Sequence, residues 1–219
     1  MISCQLPSLM QPESSVISWP VESGLSARRV GIYCGSFNPI HNGHTALARH
    51  WVEATGLDEV WLVVSPLNPF KSRQDLAPDA DRLEMARIAL QGVDGVRVSD
   101  VEMQLPQPSY TIDTLHFLSA TYPGVRFVLL MGADNLEGLS RWKQSAQLQQ
   151  EYEIWVYPRQ GYAVESLLPQ YPQVRYWQDF PVFDGCATDI RRALAERRTE
   201  VPGLDPRVRD YIFRKGLYC

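Results

Sequence analysis

Two short runs, Glu59-Val60-Trp61-Leu62-Val63-Val64-Ser65 and Arg126-Phe127-Val128-Leu129-Leu130-Met131, are apolar almost without interruption. A strand with one wet face alternates polar and apolar residues. A strand without that alternation is covered on both faces, as in a parallel sheet held between layers of helices. Further β-rich runs fall at 29–34, 95–100, 153–157 and 174–177. Helical patterns separate them near 43–55, 78–91, 111–122 and 143–150, and two more follow at about 188–197 and 205–214. This alternation predicts an α/β chain with a doubly wound parallel sheet, right-handed crossovers and helices on both faces. Ligands of such sheets bind beyond the carboxyl ends of the strands, so segments 35–44, 66–73, 101–113 and 132–142 are expected to converge.

The first of these segments carries the most chemistry. Gly35-Ser36-Phe37-Asn38-Pro39-Ile40-His41-Asn42-Gly43-His44 follows the apolar run Val30-Gly31-Ile32-Tyr33-Cys34 and precedes an amphipathic stretch from Thr45 to Trp51. A buried strand feeding a helix start is where α/β proteins hold phosphate, because free backbone N–H groups and the helix dipole point there. The glycines let backbone approach a ligand, and Pro39 stiffens the turn. His41 and His44 add imidazole donors for the same anion; capping of backbone carbonyls is the alternative use of such a pair. The segment is neither G-x-G-x-x-G nor G-x-x-x-x-G-K-[ST], so it reads as a phosphate site built with histidine.

Composition narrows the setting. The chain has 219 residues, enough for one well-cored domain, and a formal net charge of -4 with no long basic run, which excludes wholesale electrostatic binding of nucleic acid. Cys4, Cys34, Cys186 and Cys219 are far apart and form no C-x-x-C pair, which fits a reduced cytoplasmic protein. No apolar stretch approaches the ~20 residues that span a bilayer. The Ser-, Pro- and Gln-rich residues 1–27 are expected to be a disordered leader, with the folded domain spanning 28–219. His50 and His116 fall inside helical stretches with no partner nearby in sequence, and Cys34 reads as a small buried apolar group. Nothing in the sequence specifies an oligomeric state.

The decapeptide resembles the signature of the H-x-G-H nucleotidyltransferase superfamily, whose members join a nucleoside triphosphate to a phosphate or carboxylate acceptor. Other segments match in register: Asn68-Pro69-Phe70-Lys71, Asp81-Arg82-Leu83-Glu84-Met85, Ser109-Tyr110-Thr111-Ile112-Asp113-Thr114-Leu115, Met131-Gly132-Ala133-Asp134-Asn135-Leu136, Trp142, and Tyr211-Ile212. In this order they resemble bacterial nicotinate-nucleotide adenylyltransferases over about residues 28–218. The resemblance implies a single Rossmann-like nucleotidyltransferase domain with a C-terminal helical segment. It also implies adenylyl transfer from ATP to nicotinate mononucleotide in NAD biosynthesis, with Mg2+ carried on the ATP phosphates and no protein metal ligand. Two other readings stand beside it: a same-fold enzyme using nicotinamide mononucleotide or another phosphate acceptor, and a nucleotide sensor without turnover.

The resemblance also implies roles. His44 is expected at the α-phosphate and His41 at the outer phosphates, with Gly35, Ser36, Phe37, Gly43 and Gly132 in the ATP site. Ser109, Tyr110 and Thr111 are expected to receive the nicotinate carboxylate, which free N–H groups at a helix start suit. Asp113 then either bonds a sugar hydroxyl or serves in capping, and Asp134 either accepts from ribose or caps the next helix. Trp142 either stacks on the pyridine ring or packs in the ordinary way. Lys71 reaches a phosphate or is a solvated loop lysine. Cys186, Thr188 and Arg191 match an S-x-T-x-x-R phosphate clamp, except that Cys186 stands where serine is usual. That exchange trades a good donor for a weak one, and is open to tolerance, altered triphosphate affinity or redox sensitivity.

Overall fold

The computed structural model describes residues 27–67, 76–182 and 185–218. All but one residue of the expected leader, and the segment holding Lys71, lie outside the described residues. The strands are β1 (Arg28–Gly35), β2 (Glu59–Val64), β3 (Val96–Ser99), β4 (Val125–Gly132), β5 (Glu153–Tyr157) and β6 (Val174–Tyr176). The α-helices are α1 (Asn42–Thr55), α2 (Asp79–Leu90), α3 (Thr111–Thr121), α4 (Ala133–Leu136), α5 (Ser145–Glu151), α6 (Ala187–Ala195) and α7 (Pro206–Lys215). The single turn α4 and the 3-10 turns Val101–Gln104, Leu139–Arg141 and Leu168–Gln170 are too short to leave a periodic signal in the sequence.

All strand pairs are parallel, in the order β3-β2-β1-β4-β5-β6. This is the doubly wound Rossmann-like arrangement that the alternation predicted. The winding reverses between β1 and β4, whose register pairs Ile32 with Leu129, and the connections leaving the ends of these two strands diverge to open a crevice.

The two apolar runs pack as their lack of alternation requires. Successive side chains of a strand point to opposite faces. Val60, Leu62 and Val64 join Val128 and Leu130 in a core with residues of α1, α2, α6 and α7. Trp61 and Val63 join Phe127, Leu129 and Met131 in a second core with α3, α4 and α5. Trp51 and Trp155 have almost no exposed surface, and their rings lie 5.7 Å apart. Burying a large apolar side chain contributes about 1.5–3 kcal/mol, so the two layers clamp the sheet and leave its carboxyl edge to ligands.

Long-range contacts add what the local sequence does not show at three positions. His116 on α3 bonds Glu151 of α5 at 2.6 Å, and His50 on α1 stacks edge-on against Phe180 at 4.4 Å, so neither lacks a partner. Cys34 packs half-buried against the second core and also lines the crevice. Its thiol pKa is raised by desolvation and then by the Glu102 carboxylate, which it meets in a hydrogen bond.

Candidate active site

The turn between β1 and α1 is held by groups from elsewhere in the chain. Arg82 of α2 has no exposed surface, and its guanidinium donates to the carbonyls of Ser36, Ser65, Pro66 and Ala77 and to Asp79 Oδ1. The ends of β1 and β2 and the start of α2 are thereby tied to one fixed cation. Asn38 Oδ1 accepts from the Ala77 N–H at 3.0 Å, and the Asn38 carbonyl accepts from Arg191 Nη1 at 2.8 Å. The turn is therefore braced by side chains from α2 and α6.

His41 is the N-cap of α1 and His44 its third residue. That spacing brings the rings together, stacked with centroids 3.6 Å apart. The backbone N–H of His41 donates to His44 Nδ1 at 3.2 Å, so the ring proton of neutral His44 resides on Nε2. Phe37 packs edge-on against His44 at 5.0 Å. His41 is buried, and desolvation, followed by the nearby Arg159 charge, lowers its pKa to about 4. It is a neutral imidazole at ordinary pH. Its Nδ1 is buried, and the His41 side chain pairs with the His44 backbone N–H in a capping box. A side chain at Gly185 would place Cβ 2.6 Å from His41 Nδ1, so only glycine lets the approach to α6 pass this close.

The other walls come from three more element ends. Tyr110 is the N-cap of α3, and Thr111 is its first residue rather than its cap. Ser109 just before it is buried, and its hydroxyl has no partner. Beyond β4, Asp134 lies in the first turn of α4, with Gly132 at the N-cap. A Cβ on Gly132 would lie 2.3 Å from Asp134 Oδ1, so the glycine makes room for the carboxylate. Arg159, just past β5, donates to the same oxygen at 3.4 Å. Cys186 is the N-cap of α6 and makes no side-chain capping bond, while Arg191 Nη2 donates to Thr188 Oγ1 at 3.3 Å.

These ends enclose one cavity of about 660 Å³. Its walls include Gly35, Ser36, Phe37, His41, His44, Ser109, Tyr110, Thr111, Gly132, Asp134, Trp142, Cys186, Thr188 and Arg191, fourteen of the residues expected from sequence. Two expectations fall outside its walls. Gly43 is buried at the start of α1, beside a smaller void behind the histidines. Asp113 turns away to bond Lys143 Nζ at 2.7 Å, and Lys143, over the Tyr110 ring at 4.7 Å, lines the cavity instead.

The walls also include Asn38, Glu102 and Arg141 from the converging segments, without a role assigned from sequence, and Lys143, Tyr157 and Arg159 from outside them. Tyr157 and Arg159 follow from the carboxyl-end rule once it is applied to β5 as well as to the first four strands. Glu102 lies within the 101–113 segment; it is buried, and its Oε1 accepts from Thr114 Oγ1 at 3.1 Å. An acidic residue beside the valine and methionine of that segment gave no sign of which way it faces.

Comparison with known proteins agrees with this geometry. The cytidylyltransferase-like family profile matches residues 32–193. A protein of Bacteroides fragilis named "Probable nicotinate-nucleotide adenylyltransferase" is 46% identical over 171 residues, covering 78% of this chain and 84% of the relative. A Cytophaga hutchinsonii protein of the same name is 39% identical over 190 residues, covering 87% of this chain and 98% of the relative. The fold is similar to that of Plasmodium falciparum nicotinic acid mononucleotide adenylyltransferase, solved in complex with NaAD. The TM-score is 0.74 at 20% identity, over 87% of this chain and 97% of that one. With its histidine-bearing phosphate turn at the switch point and this extent of likeness, the chain belongs to the cytidylyltransferase-like nucleotidyltransferases and, within them, to the nicotinate-nucleotide adenylyltransferase family.

Proposed function

We propose that this chain transfers the adenylyl group of ATP to the phosphate of nicotinate mononucleotide, forming deamido-NAD and releasing pyrophosphate. One observation carries the reading: a single cavity at the switch point is lined by the stacked His41–His44 pair and, on another wall, by Ser109-Tyr110-Thr111 at the start of α3. The second wall holds a buried hydroxyl without a partner, Ser109 Oγ. Buried polar groups are usually satisfied, so this hydroxyl on a cavity wall suits a ligand's polar group.

The chemistry needs alignment rather than a base. The acceptor phosphate already carries an anionic oxygen. That oxygen attacks the α-phosphorus in line, one P–O bond forms as the bond to pyrophosphate breaks, and the leaving group takes the electron pair. In this reading His44 donates its Nε2–H to the α-phosphate as charge builds there, and neutral His41 serves the outer phosphates. Thr188, Arg191 and the N-terminus of α6, with Cys186 at its cap, hold the β- and γ-phosphates. Lys71 is proposed to join them. Gly35, Ser36, Phe37, Gly43 and Gly132 shape the ATP side, and Asp134, steadied by Arg159, accepts from ribose. Ser109, Tyr110 and Thr111 receive the nicotinate carboxylate, Trp142 stacks on the pyridine ring, and Asp113 acts through Lys143.

Among the described residues no group of three or more His, Cys, Asp or Glu side chains stands ready to hold a metal. The cavity walls carry Arg141, Lys143, Arg159 and Arg191 beside the carboxylates of Glu102 and Asp134, and the cations suit a triphosphate arriving with its own divalent ion. We propose Mg2+, which supplies charge neutralisation on the triphosphate. Among the described residues no helix is long and apolar enough to cross a membrane. We place the protein in the cytoplasm, as its free Cys34 and Cys186 thiols suit, and read 28–219 as one domain preceded by a leader. Pyrophosphate release from ATP, assayed with nicotinate mononucleotide, its amide and phosphopantetheine in parallel, tests the reading. Release with the first acceptor supports it, and silence with all three refutes it.

A further inference from the structure

The C-terminal segment reaches the phosphate turn. α7 ends at the C-cap Gly216, and two residues later the Tyr218 hydroxyl donates to Asn38 Oδ1 at 2.6 Å across 180 residues of sequence. The acceptor is the buried side chain that also takes the Ala77 N–H and whose carbonyl takes Arg191 Nη1. Tyr218 has φ 61°, a left-handed conformation that side-chain-bearing residues rarely adopt, so its surroundings hold it in place. Desolvation raises the phenol pKa, which keeps the group a donor throughout the working pH range.

A second tyrosine of the same segment supplies the contrast. The Tyr211 hydroxyl donates to Asp81 Oδ1 at 2.7 Å, and Lys215 Nζ meets the same carboxylate at 3.2 Å. These contacts dock α7 on α2 and touch no residue of the phosphate turn. Docking is thus secured without Tyr218, whose hydrogen bond is spent on Asn38.

We propose that Tyr218 is a positioning residue for adenylyl transfer, setting through Asn38 the backbone that carries His41 and His44. This rests on the reading of that turn as the reacting site. Displacing catalytic donors by a fraction of an ångström lowers turnover more than it lowers ground-state binding.

The test compares Tyr218→Phe with Tyr211→Phe in the full chain, each deleting one phenolic hydroxyl of the C-terminal segment. Thermal melting, kcat and the KM for ATP and nicotinate mononucleotide are measured for both. Melting temperatures should fall by similar small amounts. Only Tyr218→Phe should lower kcat, by about fivefold, with each KM changed less than twofold. Wild-type kcat in Tyr218→Phe, or an equal loss in Tyr211→Phe, overturns the proposal. Imidazole NMR signals of the ligand-free protein decide the matter independently of turnover: His41 and His44 should shift in Tyr218→Phe and stay unmoved in Tyr211→Phe. A wild-type chain without transfer activity but with those shifts would refute the function while leaving the positioning contact standing.

Discussion

The backbone N–H of His41 bonds Nδ1 of His44 at 3.2 Å, and the two rings lie stacked 3.6 Å apart. The bond leaves His44 one donor, Nε2–H, and helps to orient the ring. A donor fixed in advance stabilises charge that develops during reaction more than charge already present in the ground state. His44→Ala should therefore lower kcat by ~10²–10³ while the ATP dissociation constant changes only a few fold. Single-turnover kinetics beside equilibrium titration separate the two; weakened binding at unchanged kcat would contradict this role.

His41 should not titrate near neutrality. Burial, with Arg159 adding to it, lowers its folded-state pKa from 6.5 to about 4. The unfolded chain takes up this proton first as pH falls. The folded state then loses stability between pH 6.5 and 4, and keeps it in full above that window. The loss is on the order of 3 kcal/mol at the acid end. Urea unfolding across this range should show the slope, and His41→Asn should flatten it.

Arg82 should matter chiefly for folding. It is fully buried and donates to four carbonyls as well as Asp79, so truncation strands all of these acceptors. Arg82→Ala should cost about 3–5 kcal/mol. Arg82→Lys should recover only part, because an ammonium cannot span the fork. Denaturant midpoints at constant m-value measure both.

Cys186 is a helix N-cap without a capping bond. Cys186→Ser adds the hydroxyl that caps a helix and should stabilise the protein by about 0.5–1 kcal/mol. The KM for ATP should stay equal or fall. A large loss of activity would give the thiol a role beyond capping.

The sheet, its order of elements and its ligand edge were legible because burial on both faces removes alternation from β2 and β4, a local signal. Most cavity walls were legible for the related reason that strand ends converge. What stayed hidden depends on contacts distant in sequence. Arg82 lies in the family-like segment Asp81-Arg82-Leu83-Glu84-Met85, but nothing local shows that its guanidinium is the hub of the turn after β1. Asp113 stays open between sugar and cap in the sequence because first-turn acids look alike, and its bond to Lys143 depends on a residue 30 positions away. Tyr218 carries no local mark, since its partner lies 180 residues away.

The central claim is transfer to the acid rather than the amide, received where the Ser109 hydroxyl waits at the start of α3. The kcat/KM for nicotinate mononucleotide and for nicotinamide mononucleotide, measured side by side with saturating ATP and Mg2+, tests it most directly. Charge-assisted hydrogen bonds to a carboxylate predict a preference for the acid of at least ~10-fold. Equal values for the two acceptors, or a preference for the amide, would contradict the account.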